Sequence, residues 1–204
     1  MNLNIYEKEY SCRTKDHLWF QELKQAIFAI VNNGYKIEDI ERESEESNFF
    51  SAASLSRARE IKQAVIRRLA VASDSFLDFY VKQSVTDQKL LSLVLIIADD
   101  RTFYELMNNV IKEKFIVGDT VLKDNEIIGY LHDLQSTNER AAHWTDVSIK
   151  KVRSLYKGML KDSGLAKVNG REMTLVKPIL SDEFRSFLLA ENLEPILKIL
   201  AGER

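Results

Sequence analysis

The chain has 204 residues, of which 45% are hydrophobic, and its formal net charge is -2. This length and apolar content provide for one or two domains with a sizeable core and exclude a disordered chain. Cys12 is the only cysteine, which excludes an internal disulfide and a cysteine-based zinc site. The absence of disulfides and the absence of an apolar leader at the N-terminus together predict a cytoplasmic protein.

The N-terminal part of the chain predicts three helices in succession. Apolar spacing predicts a first helix over residues 16–33, which Asp16 would cap and Gly34 would end. A short, strongly acidic helix over residues 37–46 follows. The third helix covers residues 54–73, "SLSRAREIKQAVIRRLAVAS", and is rich in arginine. A long helix, a short helix and a basic helix in this order are compatible with a helix-turn-helix unit, although any helical bundle can share the order.

The remainder is also predominantly helical. Helices are predicted over residues 74–83, 87–98, 102–117, 125–135, 138–142 and 146–163. The apolar run at residues 90–98 is shorter than the roughly 20 residues of a membrane span, so it reads as a buried helix. Asn169-Gly170 predicts a β-hairpin directly after the last of these helices.

We therefore predict a mainly α protein with two helix-turn-helix-like units packed as one globule. The first unit would cover residues 1–83 and the second residues 84–204. The small hairpin beside a basic helix resembles the wing of a winged helix-turn-helix, which places it in the second unit.

Charge on the helix over residues 54–73 has two interpretations. A helical wheel places an apolar face inside, with Arg59, Gln63 and Arg67 along one exposed row and Arg57 and Arg68 along another. Because these cations surround the exposed side rather than form one stripe, they fit a solvated surface as well as a nucleic-acid contact.

The helix over residues 146–163 has a sharper charge pattern. Lys150, Arg153, Lys157 and Lys161 cluster opposite its apolar face, without an acid among them. Like charges at this spacing repel one another, so the row indicates an anionic partner. The adjoining hairpin adds Lys167 and Arg171, which makes the local balance clearly basic.

Acidic residues are concentrated elsewhere in the chain. Residues 37–47 carry six carboxylates against Arg42 alone, so a pI near 6.0 conceals separate acidic and basic surfaces. This acidic helix is expected either to point away from DNA or to meet a basic partner.

The sequence carries no recognisable catalytic or cofactor motif. Its three histidines lack metal-ligand spacing, and neither a P-loop nor G-x-G-x-x-G is present. The G-x-S-x-G motif of serine hydrolases is also absent. Asp99 and Asp100 are interpreted as a helix end with ion pairing rather than a metal site. We expect a protein that is not an enzyme and that has no metal and no cofactor.

Four stretches of the sequence, in this order, resemble the BrxA family of bacteriophage exclusion (BREX) defence systems. They are "YSCRTKDHLWFQE", "NFFSAASLSRAREIKQAVIRRL", "YELMNNVIKEKFIVGD" and "WTDVSIKKVRSLYKGMLKDSGLAK". In the third, Lys112 stands where arginine is common in the family. The similarity extends over nearly the whole chain.

The resemblance implies a mostly helical, cytoplasmic protein with two helix-turn-helix-like units that binds double-stranded DNA. It also implies partners within the defence system, namely a methyltransferase, an alkaline-phosphatase-like protein and a large ATPase. We therefore expect a non-catalytic DNA-binding accessory protein without a membrane partner. The alternatives are a helical adaptor between proteins of the complex and a transcriptional regulator of its own operon.

The residues predicted to contact DNA come from the helical wheels and the hairpin. They are Arg57, Arg59, Arg67, Arg68, Lys150, Lys151, Arg153, Lys157, Lys161, Lys167 and Arg171.

Overall fold

A computed structural model describes residues 1, 3–170 and 172–204. The helices are α1 (Phe20–Asn33), α2 (Ile37–Glu46), α3 (Leu55–Val71), α4 (Asp74–Lys82), α5 (Val85–Asp99), α6 (Arg101–Leu106), α7 (Lys112–Val117), α8 (Asp124–Thr137), α9 (Asp146–Asp162), α10 (Asp182–Ala190) and α11 (Glu194–Ala201). Short 3-10 turns lie at Ile5–Glu7 and Ala141–His143, and a π-helical turn, Met107–Ile111, joins α6 to α7. The prediction of a mainly α fold is confirmed.

Helix α5 is the centre of the hydrophobic core. Ser84 caps its start, and every residue from Leu90 to Asp100 is buried. Helices α1, α3, α4 and α9 all pack against it. A helix that is apolar on every side is stable only when neighbours cover it all round, which explains the run at residues 90–98. Within the described ranges, none of the helices is long and apolar enough to cross a membrane.

A three-stranded antiparallel sheet adjoins α9. Strand β1 (Val121–Leu122) precedes α8, while β2 (Ala166–Asn169) and β3 (Glu172–Leu175) follow α9. The strand order is β1-β3-β2, with Asn169 opposite Glu172 at the hairpin. The predicted hairpin is confirmed. Strand β1 was not predicted, because two residues are too few to show an alternating pattern.

Helix starts depend on side chains in ways that the pattern of apolar residues did not reveal. The first helix begins at Phe20, not near Asp16, and the left-handed conformation of Trp19 (φ 50°) turns the chain into it. Asp100 ends α5 and caps α6 by accepting hydrogen bonds from the Thr102 and Phe103 amides. The helix that was predicted to begin at Thr102 therefore begins at Arg101.

The reason that Asp16 does not cap α1 is its burial beside α3. Arg68 is fully buried, and its guanidinium donates to Asp16 Oδ1 at 2.6 Å and to the carbonyls of His17 and Leu18. Arg67 donates to the other oxygen of Asp16 at 2.8 Å and to Asp99 at 3.3 Å. These bonds tie the segment before α1 to α3 and to the end of α5, and they confirm that Asp99 is an ion-pairing residue.

The unit boundary predicted after residue 83 falls between α4 and α5. The packing of α1 and α3 on α5 crosses this boundary. The division into two units stays a prediction.

Replacing Arg68 with Met tests how much the fold depends on this buried ion pair. The variant leaves Asp16 and two carbonyls without their main donor, so the free energy of unfolding should fall by about 3–5 kcal/mol. Urea unfolding followed by circular dichroism measures the loss. Arg59→Met, on the exposed side of the same helix, should change stability by no more than about 0.5 kcal/mol. Equal losses of stability in the two variants would show that the fold does not depend on the buried Arg68 ion pair.

Candidate nucleic-acid interface

Helix α9 presents the basic row that the sequence predicted. Thr145 caps its start by accepting a hydrogen bond from the Ser148 amide. Lys161 lies in its last turn, where a positive charge interacts favourably with the helix dipole. Ile149, Val152 and Tyr156 form the buried apolar face that the charge pattern predicted. The apolar face of α9 is therefore fixed against the core, which leaves the charged face outside.

The cations of α9 fall into two groups. Lys150, Lys151 and Lys161 are exposed, and in the part of the chain that the structure describes none of them pairs with a carboxylate. Arg153 and Lys157 are three-quarters buried, and both pair with Asp124 at the start of α8, Arg153 at 2.7 Å. Arg153 and Lys157 thus already have a counter-ion.

Asp124 corrects the view that no acid interrupts the row. The structure places Lys123 at the cap position of α8 and Asp124 in its first turn, one residue before the start predicted at residue 125. The hydrogen bond from Lys157 lowers the pKa of Asp124, and the charge of Arg153 adds to this effect. The carboxylate is ionised at neutral pH and neutralises part of the row.

The "YELMNNVIKEKFIVGD" stretch positions Asp124 and β1. Lys114 is buried and donates to Asp119 at 2.6 Å and lies 2.8 Å from a Glu126 oxygen. Burial alone would lower the pKa of Lys114, but these two carboxylates raise it above its ordinary value. Gly118, with φ 75°, ends α7 in a conformation that favours glycine. This stretch therefore fixes the start of α8 beside α9.

The hairpin beside α9 adds a further cation. Lys167 is exposed on β2, and Ala166, Met173 and Leu175 anchor the sheet in the core. Arg171, the other predicted contact of the hairpin, lies outside the described residues.

In α3 the predicted cations have different environments. Arg59 is exposed, while the Arg57 guanidinium stacks over the Trp19 ring at 4.0 Å from its centroid. Arg67 is about one-third exposed and is held by Asp16 and Asp99. Arg68 is buried, so its placement on an exposed row was wrong. A helical wheel records the angle around one helix, but not which neighbour covers that angle.

The acidic helix α2 packs on α3, where it meets a basic residue of the same chain. Lys62 of α3 pairs with Glu45 and lies 3.9 Å from Glu41. Part of the acidic surface is thus neutralised internally. Glu38 and Glu46 remain exposed.

The ends of the two basic helices lie near each other. Arg57 of α3 and Lys161 of α9 line one pocket together with Lys89 of α5, a residue that the sequence analysis had not selected. No sequence signal identified Lys89, because it is a single cation at the start of an apolar helix. Among the residues that the structure places, no cluster of metal-binding side chains occurs.

The sequence comparisons identify relatives over almost the whole chain. The sequence model of the BrxA family matches residues 8–192. A BREX protein BrxA from Bacillus cereus (strain H3081.97) is 28% identical over 200 residues, which cover 98% of this chain and all of that protein.

A solved structure has a similar fold. The crystal structure of an uncharacterized protein from Magnetospirillum magneticum superposes with a TM-score of 0.76 and 14% identity. The superposition covers 96% of this chain and all of the other. At this identity the similarity concerns the fold alone.

Replacing Asp124 with Asn tests the clamp between α8 and α9. Because the fold lowers the pKa of Asp124, its charged form stabilises the protein above the ordinary aspartate pKa of about 3.9. This contribution is lost as the pH falls through the folded-state pKa. The variant should be less stable than the natural protein by about 0.5–1 kcal/mol at pH 7, and the difference should shrink towards pH 3.

Thermal unfolding between pH 3 and pH 7 measures this difference. Asp133→Asn changes the same charge at an exposed position of α8 and should show no such pH dependence. A stability difference that stays constant with pH would exclude an ionic role for Asp124.

Proposed function

The chain belongs to the BrxA family of BREX defence proteins, and on that premise we propose that it is a non-catalytic accessory protein that binds double-stranded DNA. The observation that carries the proposal is the exposed cationic side of α9 with a β-hairpin beside it. Its expected partners within the cell are DNA and other BREX proteins.

The order of elements supports α9 as the helix that meets DNA. Strand β1, α8, α9 and the β2–β3 hairpin follow one another, with β3 between the other two strands. In helix-turn-helix proteins the second helix enters the major groove. Here α9 would be that second helix, and the hairpin that carries Lys167 would be a wing beside it.

The charges support contacts to phosphate more than readout of bases. Lys150, Lys151, Lys161 and Lys167 are exposed lysines, and lysine interacts with phosphate as a point charge. Four such contacts would give a slope of log affinity against log salt of about -4. Arg153 is the member of the row suited to bidentate contact with guanine, but Asp124 holds it. We therefore infer binding with little sequence preference.

Helix α3 has a smaller part in this proposal. Arg59 and Arg57 are exposed and lie near the start of α3, beside the end of α9, whereas Arg67 and Arg68 are engaged by Asp16. Arg68 is accordingly left out of the proposed DNA contacts.

A role as a protein adaptor is the second candidate. The exposed carboxylates Glu38 and Glu46 of α2 favour it, because they would repel DNA and attract a basic protein surface. The two roles are compatible if the acidic and basic surfaces bind different partners.

A double variant, Lys150→Gln with Lys151→Gln, tests the DNA-binding role of α9. Each lysine that neutralises a phosphate contributes about 0.9 to the salt slope, so the slope should decrease in magnitude by about two and affinity should fall about fiftyfold at 0.1 M salt. Fluorescence anisotropy with random-sequence duplex DNA over a salt series measures both quantities.

The matched control is Lys36→Gln with Lys82→Gln, which removes the same charge from exposed positions of other elements. It should leave the salt slope nearly unchanged. Equal loss in the two double variants would show that net charge alone attracts DNA. Absence of binding by the natural protein at 50 mM salt would reject the proposal in favour of the adaptor, and strong preference for one operator would favour a transcriptional regulator.

A further inference from the structure

We propose that the N-terminus of α1 and three cations, Arg57, Lys89 and Lys161, form a pocket that binds one phosphate group at the junction of α3 and α9. The pocket rests on the contacts described below. Its assignment to a phosphate of the DNA backbone rests in addition on the proposed function.

The pocket is formed where four parts of the chain converge. Residues 17–22 form one wall, and α3, α5 and α9 contribute Arg57, Lys89 and Lys161. Its volume is about 480 Å³, which accommodates a phosphate group and bound water. Glu22 and Asp162 are the acidic residues of the lining. The lining side chains therefore carry three positive and two negative charges. The start of α1 adds the partial positive charge of the helix dipole.

Helix α1 starts at this pocket without a cap. Trp19 occupies the cap position and provides no side-chain hydrogen bond. In the described structure the amides of Phe20, Gln21 and Glu22 have no hydrogen-bond partner, and the first amide that has one is that of Leu23. Such amides and the helix dipole favour an anion.

The first amides of a helix have no acceptor within the helix, and the buried Arg68 engages the two carbonyls that precede α1. Its guanidinium binds the carbonyls of His17 and Leu18, which immediately precede the helix. Those carbonyls point to α3 and do not accept from the first turn of α1. The interaction that anchors the segment before α1 thus leaves the terminus open.

A second, independent observation is a buried donor without an acceptor. Trp19 lines the pocket and is only 7% exposed, and its indole Nε1 has no partner within the described residues. Unpaired buried donors are rare in native proteins and mark sites where a ligand or water is missing. A phosphate in the pocket would accept from the α1 amides, and the Trp19 ring beside them makes its indole signal a reporter of binding.

Within the described residues, two of the three cations have no carboxylate partner, and the third, Arg57, has only a long ion pair. Arg57 stacks on the Trp19 ring and has Glu60 as its nearest carboxylate at 3.7 Å. Lys89 lies with its Nζ 5.6 Å from the Phe20 ring centre. For Lys89 and Lys161, the described part of the chain provides no carboxylate within ion-pair distance. Burial lowers the pKa of His17, and the Arg57 charge lowers it further, as expected beside an electropositive pocket.

A phosphate in this pocket would connect the two basic helices. Arg57 belongs to α3 and Lys161 to α9, so one anion held by both would fix the distance between them. If the phosphate belongs to DNA, this contact sets the position of the duplex across both helices. If it belongs to a small molecule, the pocket senses a phosphate-bearing ligand beside the DNA-binding surface.

Titration with inorganic phosphate at constant ionic strength, followed by ¹H–¹⁵N NMR of the whole chain, tests the pocket directly. The Trp19 indole signal and the Gln21 and Glu22 amides should shift and saturate, and Trp144→Phe assigns the two indole signals. Lys89→Gln should lower the affinity for phosphate about tenfold, because it removes a charge-assisted contact. Lys82→Gln, an exposed lysine of α4, is the matched control and should leave the affinity unchanged.

DNA binding by the same variants identifies the source of the phosphate. A salt slope smaller by about one in Lys89→Gln, but not in Lys82→Gln, would assign the phosphate to the DNA backbone. Unchanged DNA binding with lost phosphate binding would support the pocket and assign it to a small phosphate-bearing molecule.

The inference is overturned if phosphate shifts none of these signals, or if Lys89→Gln binds phosphate as tightly as Lys82→Gln. The proposed function is tested separately, because its test uses variants of Lys150 and Lys151, and these residues do not line this pocket.

Discussion

The buried ion pair between Arg68 and Asp16 is the constraint on which the arrangement of the N-terminal half depends. A guanidinium without solvent contact requires several acceptors, and Asp16 with the carbonyls of His17 and Leu18 provides them for its two terminal nitrogens. These acceptors lie on one short segment without regular secondary structure, so the segment is held in one conformation against α3. Arg13 and Arg67 extend the network to Asp99 at the end of α5. A polar network therefore positions a loop that apolar packing alone would leave variable.

The same network links the N-terminal segment to α9. Asp100, next to Asp99, accepts from Ser11 and caps α6, and the hydroxyl of Tyr156 on α9 lies 3.4 Å from its other oxygen. Burial raises the pKa of Asp100 above its ordinary value, and Arg13 opposes this effect. Tyr156 belongs to the buried face of α9, opposite the basic row. The side of α9 that faces outward is thus set partly by a carboxylate at the junction of α5 and α6.

Features that depend on neighbours in sequence could be predicted. The apolar face of α9 and the hairpin after Asn169 each depend on a few adjacent residues. The burial of Arg68 and the pairing of Arg153 with Asp124 join residues 52 and 29 positions apart, and a helical wheel carries no such information. Asp16 shows this limit well: as a carboxylate before an apolar run it fits a helix cap, yet the arginines of α3 bind it instead.

The basic surface of this protein is defined by the cationic side chains that do not already pair with a carboxylate. The acids of α2 meet Lys62, Asp124 meets Arg153 and Lys157, and Asp16 meets Arg67 and Arg68. Each pairing removes a cation that a count along the sequence would assign to DNA. The exposed lysines of α9, Lys167 and the cations around the α1 terminus remain, and they lie on α9, its hairpin and the pocket beside it. A near-neutral chain can thus retain a basic surface, because these acids pair with other cations and leave the exposed lysines without a counter-ion.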